Sequence, residues 1–200
     1  MIRTLKELFH IRFTVRNSVM LGIACALNAA LFLMSYFLHL PFTIDLAGTA
    51  YIAFMLGPTA GIIAAIVNSF LQFIFYNVSA LLYVLVGISV ALFIGICSRK
   101  RMFKDFFGAL GIVFCCYAIN VLVNSIIPVL VNIRECDVWV YYFYNIFYSA
   151  GLKLYPSSLL ANAIMKLPDT LIAMGAVLVG YYVTPKRIRD EALEIHIDEY

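Results

Sequence analysis

The sequence predicts an all-α integral membrane protein: a bundle of about six transmembrane helices with both termini on the cytoplasmic side. Three observations carry this prediction. The chain is 64% hydrophobic and only 12% charged, with a mean hydropathy of +0.97, whereas soluble domains run near about 45–50% apolar and about 25% charged. Six apolar segments alternate with short polar stretches, and most approach the roughly 20 residues that span a bilayer core. The basic residues gather on one side of these segments, as the positive-inside rule requires. The 200 residues divide into a basic N-terminal segment (1–17), one transmembrane domain (18–183) and a charged tail (184–200). The net charge of +3 sits at membrane edges, which points to a lipid bilayer and away from nucleic acid.

The elements follow in order. Residues 18–38 are mostly apolar, long enough to span, and form the first span. The second, 43–56, is short and contains glycine, so it is a short or tilted helix partly sunk at its outer end. Gly57-Pro58 breaks it, because the residue before proline is pushed out of the helical region. The third span is 59–76. Asn77-Val-Ser79 reads as a tight turn, and 80–98 as the fourth span. A polar loop from Arg99 to Asp105 precedes the fifth span, 106–131, which carries Pro128 near its end. Residues 134–156 read as a long outer loop, and 157–183 as the sixth span.

With six spans, both termini share a side with the Arg99–Asp105 loop. That side holds Arg3, Lys6, Arg12, Arg16, Arg99, Lys100, Arg101, Lys104, Lys186, Arg187 and Arg189, which are 11 of the 14 basic residues. The expected location is therefore the plasma membrane, with N and C termini cytoplasmic. Basic residues open the chain and a full-length span follows, so no cleavable leader is expected. Ile2, Leu5, Leu8 and Phe9 alternate with these basic residues, which suits either an interfacial amphipathic helix or a plain basic anchor. Of the five cysteines, Cys25, Cys97, Cys115 and Cys116 fall within or at the ends of apolar segments and Cys136 in a loop. Neither a disulfide framework nor a metal site is expected, and no cofactor.

Polar residues inside apolar segments are the candidate site. Asp45 stands at the lip of the bilayer, where a charge is costly unless paired or wet. In the last span Asn162, Lys166 and Asp169 fall at i, i+4 and i+7 and share one face. Lys166 lies about 13 Å deep at about 1.5 Å per residue. Two readings of this face stand open: an internal ion pair of Lys166 with Asp169 or Asp45, or the lining of a solute cavity. Pro168 in the same face leaves a helical carbonyl without its usual partner. Asn68 and Gln72 share a face of the third span. Tyr117, Asn120 and Asn124 share one of the fifth, and Asn28 lies in the first. Each amide alone suits interhelical bonding; together they suit a neutral or zwitterionic heterocyclic solute.

Two further features bear on function. The stretch Asp137–Tyr148 is dense in aromatic residues, among them Trp139 and Tyr142. It suits an interfacial belt or a lid stacking on a planar ligand. Gly22, Ala26 and Ala30 recur every four residues in the first span and let another helix approach closely, inside the bundle or from a partner subunit. The chain shows neither a P-loop nor HExxH nor GxSxG, so it is expected not to be an enzyme, and active transport would need a partner ATPase or an ion gradient.

Taken together, the Ala26-x-x-x-Ala30 stripe, the run Pro41-Phe-Thr-Ile-Asp-Leu-Ala-Gly-Thr49, the Leu56-Gly-Pro-Thr-Ala-Gly61 turn followed by Asn68, and Lys166-Leu-Pro-Asp169 resemble the substrate-binding S components of energy-coupling factor (ECF) vitamin transporters. The resemblance covers most of the chain. It implies a six-helix subunit that binds a vitamin or related micronutrient and docks on a transmembrane coupling subunit and two cytoplasmic ATPases. It implies docking through Ala26 and Ala30, and a lid from His39 to Thr49 that includes Phe42 and Thr43. The 40–45 region is similar to that of riboflavin binders, although the last helix does not match them. The ligand motifs of biotin, thiamine and folate members are missing. The other classes considered are a membrane sensor or assembly module and a standalone ion-coupled transporter.

Overall fold

In a computed structural model of the chain, described for residues 14–40, 42–75, 78–99, 106–131 and 137–185, every regular element is helical. In chain order these are α1 (Val15–Phe37), α2 (Ala47–Leu56), α3 (Pro58–Phe75), a 3-10 helix (Val78–Tyr83), α4 (Val84–Arg99), α5 (Phe106–Leu130), α6 (Val138–Ser149) and α7 (Leu154–Val183). Five helical stretches are long and apolar enough to cross a membrane: α1, α3, residues 80–99, α5 and α7. Residues 1–13 of the basic N-terminal stretch, read as either an amphipathic helix or a plain anchor, the Lys100–Asp105 part of the basic loop, the Asn77 part of the turn, Cys136 and the tail beyond 185 lie outside the described residues.

Large apolar side chains cover the outside as well as filling the core, and polar side chains are buried among them. Val19, Ile23, Phe70, Phe114, Leu171 and Val179 are exposed on the long helices, whereas Asn28, Thr49, Asn120, Asn124, Ser125 and Asp169 are fully buried. Apolar surface faces outward because lipid tails are as apolar as leucine. Polar groups turn inward because the bilayer core offers them no partners.

The second predicted span is only half a span. Residues 42–46 are not helical, and α2 itself has ten residues, about 15 Å at about 1.5 Å each. Nearly all of it is buried, because it packs against α1, α3, α4 and α7. Its C-terminal end is fixed by Gly57, whose φ of 91° lies in the left-handed region, and Pro58 then starts α3 where its missing N–H costs nothing. A Cβ on Gly57 would also meet the Arg99 guanidinium. Small residues let the helices close on α2: a Cβ at Gly61 would meet Ala53 and Ala91, and one at Gly95 would meet Pro58.

The outer loop predicted for 134–156 is corrected. Its described part holds helix α6, which packs on α7. Val140 and Tyr144, one helical turn apart, are buried against Ala161 and Met165, while Trp139, Tyr142 and Tyr148 are exposed. Asp137 caps the start, accepting from the Trp139 N–H at 2.8 Å. The end closes at Gly151 (φ 94°), with Gly151 N–H to Tyr148 O at 3.0 Å and Leu152 N–H to Phe147 O at 3.3 Å, the Schellman pattern. The sixth predicted span also begins earlier: α7 runs for 30 residues from Leu154, about 45 Å, and overreaches a bilayer core of about 30 Å.

Candidate functional site

The site forms where α3, α5 and α7 face the non-helical segment 42–46 and the N-terminus of α2. That N-terminus is held from α1. Asn28 Oδ1 accepts the Gly48 N–H at 2.7 Å, and its Nδ2 donates to Thr49 Oγ1 at 2.8 Å. Ser35 Oγ accepts the Ile44 N–H at 3.2 Å. One face of α1 thus supplies the caps that α2 lacks in its own sequence. Gly48 is required by this approach, since a Cβ there would lie 2.0 Å from Ala24 O.

Anchored this way, Asp45 meets α3. Its backbone oxygen accepts from Asn68 Nδ2 at 3.2 Å, and its carboxylate accepts from Gln72 Nε2. Lys166 reaches the same segment from α7: its Nζ donates to Thr43 Oγ1 at 3.1 Å and lies 3.8 Å from Asp169 Oδ2. From α5, Asn120 Nδ2 donates to Asp169 Oδ2 at 3.4 Å and Thr170 Oγ1 at 3.0 Å. Asn124 Nδ2 donates in turn to Asn120 O at 2.8 Å and Oδ1 at 2.6 Å. Lys166 also interacts electrostatically with Asp45 and with Asp137 at the start of α6. Burial raises the Asp137 carboxyl above its ordinary value, while the Trp139 amide and the Lys166 charge pull it down.

The structure therefore brings together Asp45, Asn68, Gln72, Asn120, Asn124, Lys166 and Asp169. A cavity of about 20 Å³ lies among them, lined by Asp45, Asn68, Gln72, Asn124 and Lys166 together with Thr49. That is room for about one water-sized group. Asn162 is buried but turned back along its own helix, donating to Ser158 O at 2.9 Å, and makes no hydrogen bond to this cluster.

The residues read as a lid divide. Thr43 belongs to the cluster through Lys166, and Phe42 is half-buried. His39 is exposed in the turn after α1 with φ 49°. Its N–H bonds Tyr36 O at 3.3 Å and the next N–H, of Leu40, bonds Ser35 O at 3.1 Å. His39 thus fills the left-handed position of a Schellman cap. Trp139 and Tyr142 lie on the exposed side of α6, ring edge to ring face at 6.3 Å. Gly22, Ala26 and Ala30 are exposed on α1, opposite its buried face of Ala24, Asn28 and Phe32.

Sequence reasoning passed over Thr170 and Ser35, placed Thr49 only at the end of the lid, and placed Asp137 only at the edge of the aromatic stretch. Thr49 and Thr170 are small polar residues inside apolar runs, a signal present in the sequence. Asp137 is recognisable as a helix cap two residues before a bulky aromatic run. Among the described residues no three His, Cys, Asp or Glu side chains gather to hold a metal ion. Compared with protein-family models, with curated proteins and with solved structures, the chain matches none.

Proposed function

We propose that this chain is the solute-binding subunit of an ECF-type importer, taking up a vitamin or related micronutrient with a transmembrane coupling subunit and two cytoplasmic ATPases. The observation that carries this reading is the buried polar cluster around Lys166 and Asp45, gathered from three helices under one non-helical segment. Charges at membrane depth are rare and mark solute or ion pathways, and irregular backbone there is tolerated where it is buried in protein or lines a cavity. The 42–46 segment ends at the N-terminus of a half-length helix, a construction that membrane transport proteins use to bind solutes. Opening that segment away from Lys166 would expose the cluster, and closing it would cover a bound solute. The exposed stripe Gly22, Ala26 and Ala30 supplies a smooth face for the coupling subunit. The distribution of Lys and Arg supports a plasma-membrane location with both termini cytoplasmic.

The test is untargeted mass spectrometry of small molecules that co-purify with the detergent-solubilised protein. A stoichiometric ring-containing micronutrient is the expected result. A protein that carries none from rich medium, and binds none of a panel of vitamins, would return the cluster to a purely structural role.

A further inference from the structure

The hydrogen bonds of the cluster specify what kind of group it lacks. Asn124 Nδ2 is held by two acceptors, Asn120 O and Oδ1. Asn68 Nδ2 is held by Asp45 O. These bonds fix each amide's orientation, since a carbonyl could not replace the NH₂ on the side that faces an acceptor. Both Oδ1 atoms are left buried and accept no hydrogen bond, and Asp169 Oδ1 is in the same state. The three side chains are 7%, 1% and 0% exposed for Asn68, Asn124 and Asp169. Every unmet atom of the cluster is thus an acceptor, and buried acceptors without donors are rare in folded proteins.

Charge at the cavity is balanced, since its lining holds one carboxylate, Asp45, and one ammonium, Lys166, and Lys166 lies 3.8 Å from Asp169 Oδ2. The cavity of about 20 Å³ admits one group the size of water. A terminal –NH₃⁺ meets both remaining demands: it is that size, and it brings three donors and no acceptor.

We propose that this cavity is an ammonium subsite, which takes the protonated primary amino head of the solute through Asn68 Oδ1, Asn124 Oδ1 and the Asp45 carboxylate. This deepens the solute-binding reading and rests on it for the identity of the whole ligand. The subsite can be probed with the head alone. The full chain in detergent is melted in methylammonium chloride, in tetramethylammonium chloride and in sodium chloride at equal ionic strength. Methylammonium is expected to raise the melting temperature saturably, by about 3 °C near tenfold its dissociation constant. Tetramethylammonium, with the same charge and no N–H donor, is expected to leave it unchanged. Asn68→Leu and Asn124→Leu should abolish the rise.

No rise with methylammonium, or an equal rise with tetramethylammonium, overturns the subsite and makes the cavity a water site only. A rise that persists in both leucine variants also overturns it. Should either variant fail to fold, the contrast between the two cations on the unaltered chain decides alone. A co-purified solute without a protonated amine would overturn the subsite and leave solute binding standing. A methylammonium response in a protein that binds no solute would do the reverse.

Discussion

Asn28 shows how much one side chain decides here. In the sequence it is one amide in an apolar run, readable as interhelical bonding or, with the other amides, as part of a solute site. In the structure it caps α2 from another helix, satisfying both the Gly48 N–H and Thr49. Asn28→Ala strands a buried backbone donor, worth about 1–3 kcal/mol, and is expected to lower the melting temperature in detergent by about 5 °C. Gly48→Ala is expected to be worse, since its Cβ would meet Ala24 O and backbone cannot move aside as a side chain can. Lys166 and Asp169 must be tested as a pair. Lys166→Met alone leaves a carboxylate buried without its cation, at about 3–5 kcal/mol, whereas Lys166→Met with Asp169→Leu should recover most of that loss. If the pair binds solute, the double variant melts near the unaltered chain and yet carries no co-purified molecule. A double variant as unstable as the single would show that the pair is needed by the fold. The sequence made both residues candidates through their depth, but not Thr43 as the hydroxyl to which Lys166 donates, because the two lie 123 residues apart.

At the scale of elements, the long spans were legible because composition alone sets them: about 20 apolar residues leave few alternatives in a bilayer. The ends were legible where a residue type forces them, as at Gly57-Pro58. Helix α6 was missed because a dense aromatic run also suits an interfacial loop, although Asp137 and Gly151 bracket it as caps. The cap after α1 offers a direct check. His39 adopts φ 49°, which costs a residue with a Cβ about 1 kcal/mol and glycine almost nothing. His39→Gly is therefore expected to raise the melting temperature by about 3 °C without reducing solute binding; a loss of binding would return His39 to the lid. Asp137 predicts a pH dependence. Its folded-state carboxyl is raised by burial, so the stability it contributes is present below the ordinary carboxylate value and is lost as pH rises through the folded value. Asn caps as well as Asp without the charge. Asp137→Asn should therefore be at least as stable as the unaltered chain at neutral pH, and this relative advantage should shrink as pH falls into the carboxylate range. An advantage that grows on acidification would contradict the sign.

For the whole molecule, outward apolar and inward polar surfaces say which faces can meet a partner. Ala26 and Ala30 are exposed, so Ala26→Trp or Ala30→Trp should leave the melting temperature within about 1 °C and solute binding intact. If α1 is the docking face, ATP-driven uptake with the coupling subunit and ATPases is lost; unchanged uptake places docking elsewhere. The sequence by itself determined that the described elements are helical with spans apolar enough to cross a membrane, and which ionisable residues fall inside those apolar runs. Those properties follow from composition and from the 1.5 Å rise of a helix, both of which are local. Only the tertiary structure decided that the second apolar segment is half a helix at the centre of the bundle, that α1 supplies its caps, and that Asn162 turns away from a cluster Thr43 joins. These depend on which backbone groups find partners on other helices, and such partners lie too far along the chain for any local pattern to name them.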